Sequence, residues 1–219
     1  VSHIHTSETL ATFQTRIEES LLSGLVVQVN DNHDPVSVQQ LPAPWELVGV
    51  GNYAVVVAHP DWPHWVVKVY AAVGAGLQEE AEVYAALGSH RAYSACLAAG
   101  ERYLILRRLH GLTLYDCVLR GMRVEKQVII DVDAALAYAR SRGLFPHDVH
   151  GKNVLMHEGR GYVVDVSDFY IRERCDMWED LKRAYEIIYK RTLYIWPIPM
   201  PSWVMNGVRK MYRWSRRWR

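Results

Sequence analysis

No stretch of this chain approaches the ~18 consecutive apolar residues that a membrane-crossing helix needs, and no charged-then-apolar leader is visible, so neither a span nor a signal peptide is expected. Cysteine is scarce. Cys96, Cys117 and Cys175 lie far apart without a C-x-x-C pair, which argues against a disulfide framework or a thiolate zinc site and fits a reducing cytosol. An excess of either charge is also missing: 25 Lys and Arg face 24 Asp and Glu, a net of +1, which argues against a dedicated nucleic-acid binder. No internal repeat or low-complexity segment occurs. What remains is a chain of 219 residues, half of them apolar, enough to bury one core or the cores of two small lobes.

The stretch from Phe145 to Phe169 carries the most chemistry. Asp148 is followed five residues on by Asn153, then by an apolar strand from Val154 to Met156, a turn from Glu158 to Gly161, a second strand from Tyr162 to Val164, and Asp165. Phosphoryl transfer needs one carboxylate to orient and deprotonate a hydroxyl, a second to hold Mg²⁺ against the phosphates, and an amide oxygen to complete the metal shell. Asp148, Asp165 and Asn153 suit these roles in that order, and a hairpin would bring Asp165 to face Asn153. The plain alternative is that Asp and Asn in loops satisfy local backbone. His147 and His150 flank Asp148 and could be metal ligands, but the three oxygen-bearing residues already account for the loop.

Upstream elements supply matching parts. From Glu46 the sequence ELVGVGNYAVVVAH reads as a hairpin around Gly49 and Gly51, and an ordinary turn explains the glycines as well. WVVKVY, Trp65 to Tyr70, is an apolar strand with one charge. Lys68 needs an anionic partner if buried, or it points to water from an edge strand. The next helix puts Glu80 on a face with Tyr84 and Leu87, leaving Glu79 and Glu82 as solvated competitors. Tyr103 to Leu106 reads as a buried strand.

In this order the residues resemble a protein kinase: Gly49 and Gly51 match a G-x-G-x-x-G loop with Ala54 at the third glycine, Lys68 the V-A-I-K lysine, Asp148 and Asn153 the H-R-D-L-x-x-x-N loop, and Asp165 the D-F-G aspartate. The resemblance covers Trp45 to Tyr189, roughly two thirds of the chain. It implies an α+β, bilobal fold, with a β-rich N-lobe over 1–108 and a truncated helical C-lobe over 109–219. It further implies that ATP and Mg²⁺ are bound, with Lys68 on the α/β-phosphates, Glu80 holding Lys68, Leu106 as gatekeeper and Arg107 to Leu109 as hinge. Asp148 would be catalytic, and Asn153 and Asp165 metal-binding.

The departures also inform. About a dozen residues separate Asp165 from the helix beginning near Trp178, so the activation segment on which a peptide lies in ordinary kinases is missing. His147 stands where regulated kinases carry Arg. His150 replaces the phosphate-contacting Lys, as in D-x-H-x-x-N phosphotransferases of the aminoglycoside and choline type, and Lys152 is either a phosphate contact or solvated. The pattern is similar to RIO kinases and to small serine/threonine-kinase-like proteins of Bacillus-type bacteria. It implies a cytoplasmic enzyme acting on a protein Ser or Thr, with a small-molecule acceptor or an ATP-binding scaffold as alternatives. Asp176 and Asp180 are candidates for supporting the catalytic loop from a helix, or for simple caps.

Outside these motifs, Leu10, Phe13, Ile17 and Leu21 define an amphipathic helix with Ser7 as cap and Gly24 as stop, followed by a hairpin from Leu25 to Leu41. A longer helix runs from about Val124 to Arg142 with Ile129, Val132, Leu136 and Ala139 on one face. The prolines of 196–203 break the chain before a basic helix. Val204, Val208, Met211 and Trp218 take one side of it, and Arg209, Lys210, Arg213, Arg216 and Arg217 the rest. Packing on the C-lobe is expected of it; contact with an anionic membrane or a phosphate backbone is the alternative.

Overall fold

The structure, a computed structural model, describes residues 2–30, 34–72, 74 and 76–216, and of residues 2–8, 209, 212, 213, 215 and 216 it describes the backbone alone. The architecture is α+β and the chain divides into two compact units, one of residues 1–85 and 94–108, the other of 86–93 and 109–219.

The first unit begins with helix α1 (Ser2–Arg16), which continues through a π-helical turn (Ile17–Leu21) into the short α2 (Leu22–Gly24). Ser7 lies inside α1 rather than at its cap, because the helix starts five residues earlier. A two-stranded ribbon, β1 (Val26–Gln28) and β2 (Ser37–Gln40), follows. Next come β3 (Glu46–Val50), β4 (Ala54–Ala58), β5 (Trp65–Tyr70), helix α3 (Leu77–Leu87), β6 (Cys96–Ala99) and β7 (Tyr103–Arg107). The five strands form one antiparallel sheet in the order β3-β4-β5-β7-β6.

Period-two alternation gives this sheet two distinct faces. Val55, Val57, Val67, Val69, Tyr103 and Ile105 point to one side, where Phe13, Ile17 and Leu21 of the N-terminal helix, all fully buried, cover them. Phe13 sits with its ring centroid 4.8 Å from Trp62 and 5.3 Å from Trp65. Two polar ties fix the register: Trp45 Nε1 donates to Ser20 Oγ at 3.0 Å and Tyr103 Oη donates to Glu18 Oε1 at 3.2 Å. The helix that the sequence marks as an extension is therefore part of the unit's core.

The second unit contains β8 (Leu112–Thr113), α4 (Leu114–Leu119), α5 (Lys126–Ser141), β9 (Val154–His157), β10 (Arg160–Val163), α6 (Met177–Ile187) and α7 (Ser202–Arg216). Thr113 caps α4, its Oγ1 accepting from Asp116 N at 2.9 Å. The β9–β10 hairpin packs against α5 through Gly161, where an added Cβ would lie 2.6 Å from Val128 O, so only glycine lets the strand approach so closely. Val128, Val132, Leu136 and Ala139 complete the buried stripe of α5.

Asp131 lies on that stripe and is 4% exposed. Its carboxylate accepts from Arg160 Nε at 2.7 Å, from Arg160 and Arg91 guanidinium nitrogens at 2.9 Å each, from Gln127 Nε2 at 2.9 Å and from Gly161 N at 3.1 Å. The Arg160 hydrogen bonds, with those of Gln127 and Gly161, hold its carboxyl well below the usual range against the opposing effect of burial. Asp133, on the same helix, accepts from Trp178 Nε1 at 2.8 Å and Lys182 Nζ at 2.9 Å and so ties α6 down.

Helix α7 departs from the expected packing: Trp203, Val208, Met211 and Trp214 are all exposed. Arg217 and Trp218 lie outside the described residues, as do the side chains of Arg209, Arg213 and Arg216. Among the described residues no helix is long and apolar enough to cross a membrane.

A depressed carboxyl stabilises the fold above its unfolded pKa of about 3.9 and loses that contribution as pH falls toward the folded value. Asp131→Ala should cost ~2–3 kcal/mol in urea unfolding at pH 7, less than a fully enclosed pair because its arginine partners can turn to water. The difference between the two proteins should narrow below about pH 4.

Candidate active site

Strand β5 lies between β4 and β7, so Lys68 sits mid-sheet and the edge-strand reading of it does not hold. Cross-strand pairing sets Gly49, Val56, Lys68 and Leu104 in one row across four strands, on the face opposite the N-terminal helix. Tyr70, two residues on, shares that face. Lys68 Nζ donates to Glu80 Oε1 at 2.9 Å and Oε2 at 2.6 Å, and Tyr70 Oη donates to Oε2 at 2.5 Å. Glu80 is 0% exposed and the Lys68 side chain 12%, whereas Glu79 and Glu82 are solvated. The buried carboxylate is thus matched by a cation and a hydroxyl, which burial of a charge demands.

Leu106 is buried and pairs with Val66, also on the lysine face. Arg107 ends β7 exposed, and Leu109, partly buried, begins the next long stretch of the second unit. Among the described residues an added Cβ at Gly49 would meet nothing within 4 Å, and at Gly51 only Ala54 O at 3.6 Å; neither residue has a positive φ. Among the described residues nothing requires these two positions to be glycine.

In the second unit the hairpin brings Asn153 and Asp165 together. Val154 pairs with Val163, and Val164 N donates to Asn153 O at 3.1 Å. The loop before it is drawn tight by Asn153 N to His150 O at 2.9 Å and by Asn153 Nδ2 to Asp148 O at 3.1 Å. Asp148 adopts φ +53°, a left-handed conformation that costs a non-glycine residue about 1 kcal/mol or more. The outer ends of the stretch are joined by Phe145 N to Phe169 O at 2.8 Å, with Phe169 fully buried.

Partial burial, with 40% of the side chain still exposed, pushes the Asp148 carboxyl up, and the negative charges of Asp168 and Asp165 add to this, while His150 and His147 oppose it. His150 Nδ1 accepts from Lys152 N at 3.2 Å, so the neutral ring carries its proton on Nε2, the nitrogen 3.7 Å from Asp148 Oδ2. Lys152 Nζ lies 4.9 Å from the Tyr115 ring centroid, a cation–π contact that neither sequence reading foresees. His147 Nδ1 is sealed from solvent with no hydrogen-bond partner among the described residues. Asp165 Oδ1 accepts from Ser167 N at 3.2 Å.

Sequence reasoning passed over Asp168. The signal available was a second acid three residues after Asp165 in a motif that otherwise needs one. Among the described residues no group of three or more His, Cys, Asp or Glu side chains is gathered as a metal cluster, while Asp165 and Asp168 both lie close enough to Asp148 for their charges to push its carboxyl up. Asp176 precedes α6 without capping it through its side chain, which instead accepts from Arg174 Nε at 2.9 Å; Asp180 sits within the helix, 3.4 Å from Arg183.

No family model matches the chain. It is 29% identical over 198 residues to the Bacillus subtilis protein named "Putative serine/threonine-protein kinase YrzF", a match spanning 89% of this chain and 90% of that one. Among solved structures it is similar to the PknI kinase domain of Mycobacterium tuberculosis, at 24% identity and a TM-score of 0.43 over 61% of this chain and 62% of that one. The fold is α+β.

Removing the acid takes away a fully buried carboxylate that both a cation and a phenol contact, whereas removing the phenol leaves the ion pair intact. Glu80→Ala should therefore cost ~3 kcal/mol and Tyr70→Phe ~1 kcal/mol in chemical denaturation. Equal losses in the two variants would contradict this ordering.

Proposed function

We propose that the protein transfers the γ-phosphoryl group of ATP to a hydroxyl, with Ser or Thr of a protein as acceptor. The observation that carries this reading is the hairpin that fixes Asn153 beside Asp165 while its own loop turns Asp148 into a strained, acid-crowded position. In this reading Asp148 orients the acceptor hydroxyl and takes its proton. A carboxylate whose proton affinity is raised by burial is the better base for that step. Asn153 and Asp165 would hold Mg²⁺, which when bound neutralises charge on the phosphates. Lys68, held by Glu80, would contact the α/β-phosphates. Leu106 and Leu109 would border the adenine.

Gly49 and Gly51 have no close side-chain neighbours among the described residues, so phosphates could approach this turn closely, although Gly51 N already donates to Ala54 O at 2.8 Å and Gly51 O accepts from Val36 N at 2.9 Å. His150 beside Asp148, together with the short segment between Asp165 and α6, favours a second reading in which the acceptor is a small molecule.

Both readings require Asp148, and Asn is the substitution to use because it tolerates left-handed φ. Asp148→Asn should cut transfer from γ-labelled ATP by about 10²–10⁴-fold. It should leave the melting temperature unchanged or raise it, since a carboxyl with a raised pKa is one the fold prefers uncharged. Full activity in the folded variant would refute the assignment. Label on protein would favour a protein acceptor, and label only on an added aminoglycoside, choline or sugar would favour the second reading.

Gly49→Ala should leave stability within about 0.5 kcal/mol of the parent, or slightly above it, through lost chain entropy in the unfolded state. Its affinity for ATP, measured by titration calorimetry, should fall at least several-fold. Unchanged affinity would remove the glycine loop from the nucleotide site.

A further inference from the structure

After Glu186 the sequence contains eight Lys and Arg and no Asp or Glu, whereas the 186 residues up to that point hold 17 Lys and Arg against 24 Asp and Glu. Near-neutral net charge conceals this segregation. Four of the eight tryptophans, Trp196, Trp203, Trp214 and Trp218, lie in the same basic stretch.

The beginning of this segment is anchored. Met200 N donates to Val118 O at 3.2 Å, Arg123 Nε donates to Tyr194 O at 3.0 Å, and the backbone of 197–199 presses on Gly121, where an added Cβ would lie 2.7 Å from Pro199 N. From that base the apolar side chains turn to solvent. Trp196 is 70% exposed, Trp203 74% and Met211 66%, with Ile195, Ile198, Val208 and Trp214 exposed as well. Lys210, on α7 with them, is also exposed.

We infer that α7 and the strap leading into it form a docking surface for an anionic lipid bilayer. Lipid satisfies both features at once: tryptophan and aliphatic side chains enter the boundary between headgroups and acyl chains, and the basic residues meet the anionic headgroups. A nucleic-acid backbone would answer the charge but leave the tryptophans and isoleucines in water. A second copy would answer the apolar surface but bring two sets of eight cations together. The helix is too short and too charged to span, so the contact is peripheral.

The test is sedimentation of the full chain with vesicles of phosphatidylcholine alone, or with about one third phosphatidylglycerol. Binding is expected to the anionic vesicles, at least tenfold weaker to the neutral ones, and to be reversed by high salt. Trp203→Ser with Met211→Ser, both exposed and neither assigned to phosphoryl transfer, should weaken binding tenfold or more without changing the melting temperature. Lys210→Glu should weaken it several-fold. The inference is overturned by failure to sediment with anionic vesicles at low salt, by binding that the Ser variant retains in full, or by a dimer at micromolar concentration that the Ser variant dissolves. Tight binding to a DNA duplex without vesicle binding would equally overturn it.

Discussion

The Asp131 carboxylate is the interaction on which the arrangement of the second unit depends. It joins the middle of α5 to the start of β10 and to the 86–93 segment, and four different residues donate to it. The hairpin that carries Asn153 at one end and Asp165 at the other is therefore set by an ionic contact at its turn end as well as by apolar packing. Gly161 makes this possible, because its missing side chain lets the strand amide reach the carboxylate. A bidentate arginine fixes orientation as well as distance, so the contact restrains rotation of the hairpin about its own axis.

The first unit solves a comparable problem with its sheet. Three fully buried residues of the N-terminal helix seal one face, leaving the other free to hold a charged pair. Lys68 and Tyr70 approach Glu80 from the same strand two residues apart, which fixes the carboxylate at two points. Without the helix the apolar row Val55, Val57, Val67, Val69 would face water, and the strand order that makes Lys68 central would lose its main support.

What could be read from residues alone follows from how local each signal is. The single charge in WVVKVY marks Lys68 as needing an anion if buried, and the register with Tyr84 and Leu87 singles out Glu80, but pairing the two follows only from the resemblance to kinases. The apolar runs around Glu158 and Gly159 were enough for the hairpin. Asp131 was passed over although its spacing from Val128 and Ala135 puts it on the apolar stripe, because its partners Arg91 and Arg160 are distant in sequence. β6, reading CLAA, has too little β-branched character to declare itself, and β8 is only two residues long. Helix α4 was missed despite its T-x-x-D start, since six residues give no periodicity to count. Burial of α7 was expected from its pattern, but amphipathicity specifies only that a helix has an apolar side, not what covers it.

Local rules are broken around Asp148 more densely than elsewhere in the second unit. A β-turn or helix could have housed residues 146–150 without left-handed φ at a non-glycine, a carboxyl pushed up by burial, or an enclosed imidazole nitrogen with no partner among the described residues. Each of these costs stability, and each is held in place by contacts that surround it: the Phe145–Phe169 backbone bond, the Asn153 amide and the buried Phe169 ring. A fold under selection for stability alone has no reason to keep three such features within two residues of one another. Their concentration at the acid that phosphoryl transfer would need, rather than at a surface turn, gives the functional reading a physical basis independent of motif resemblance.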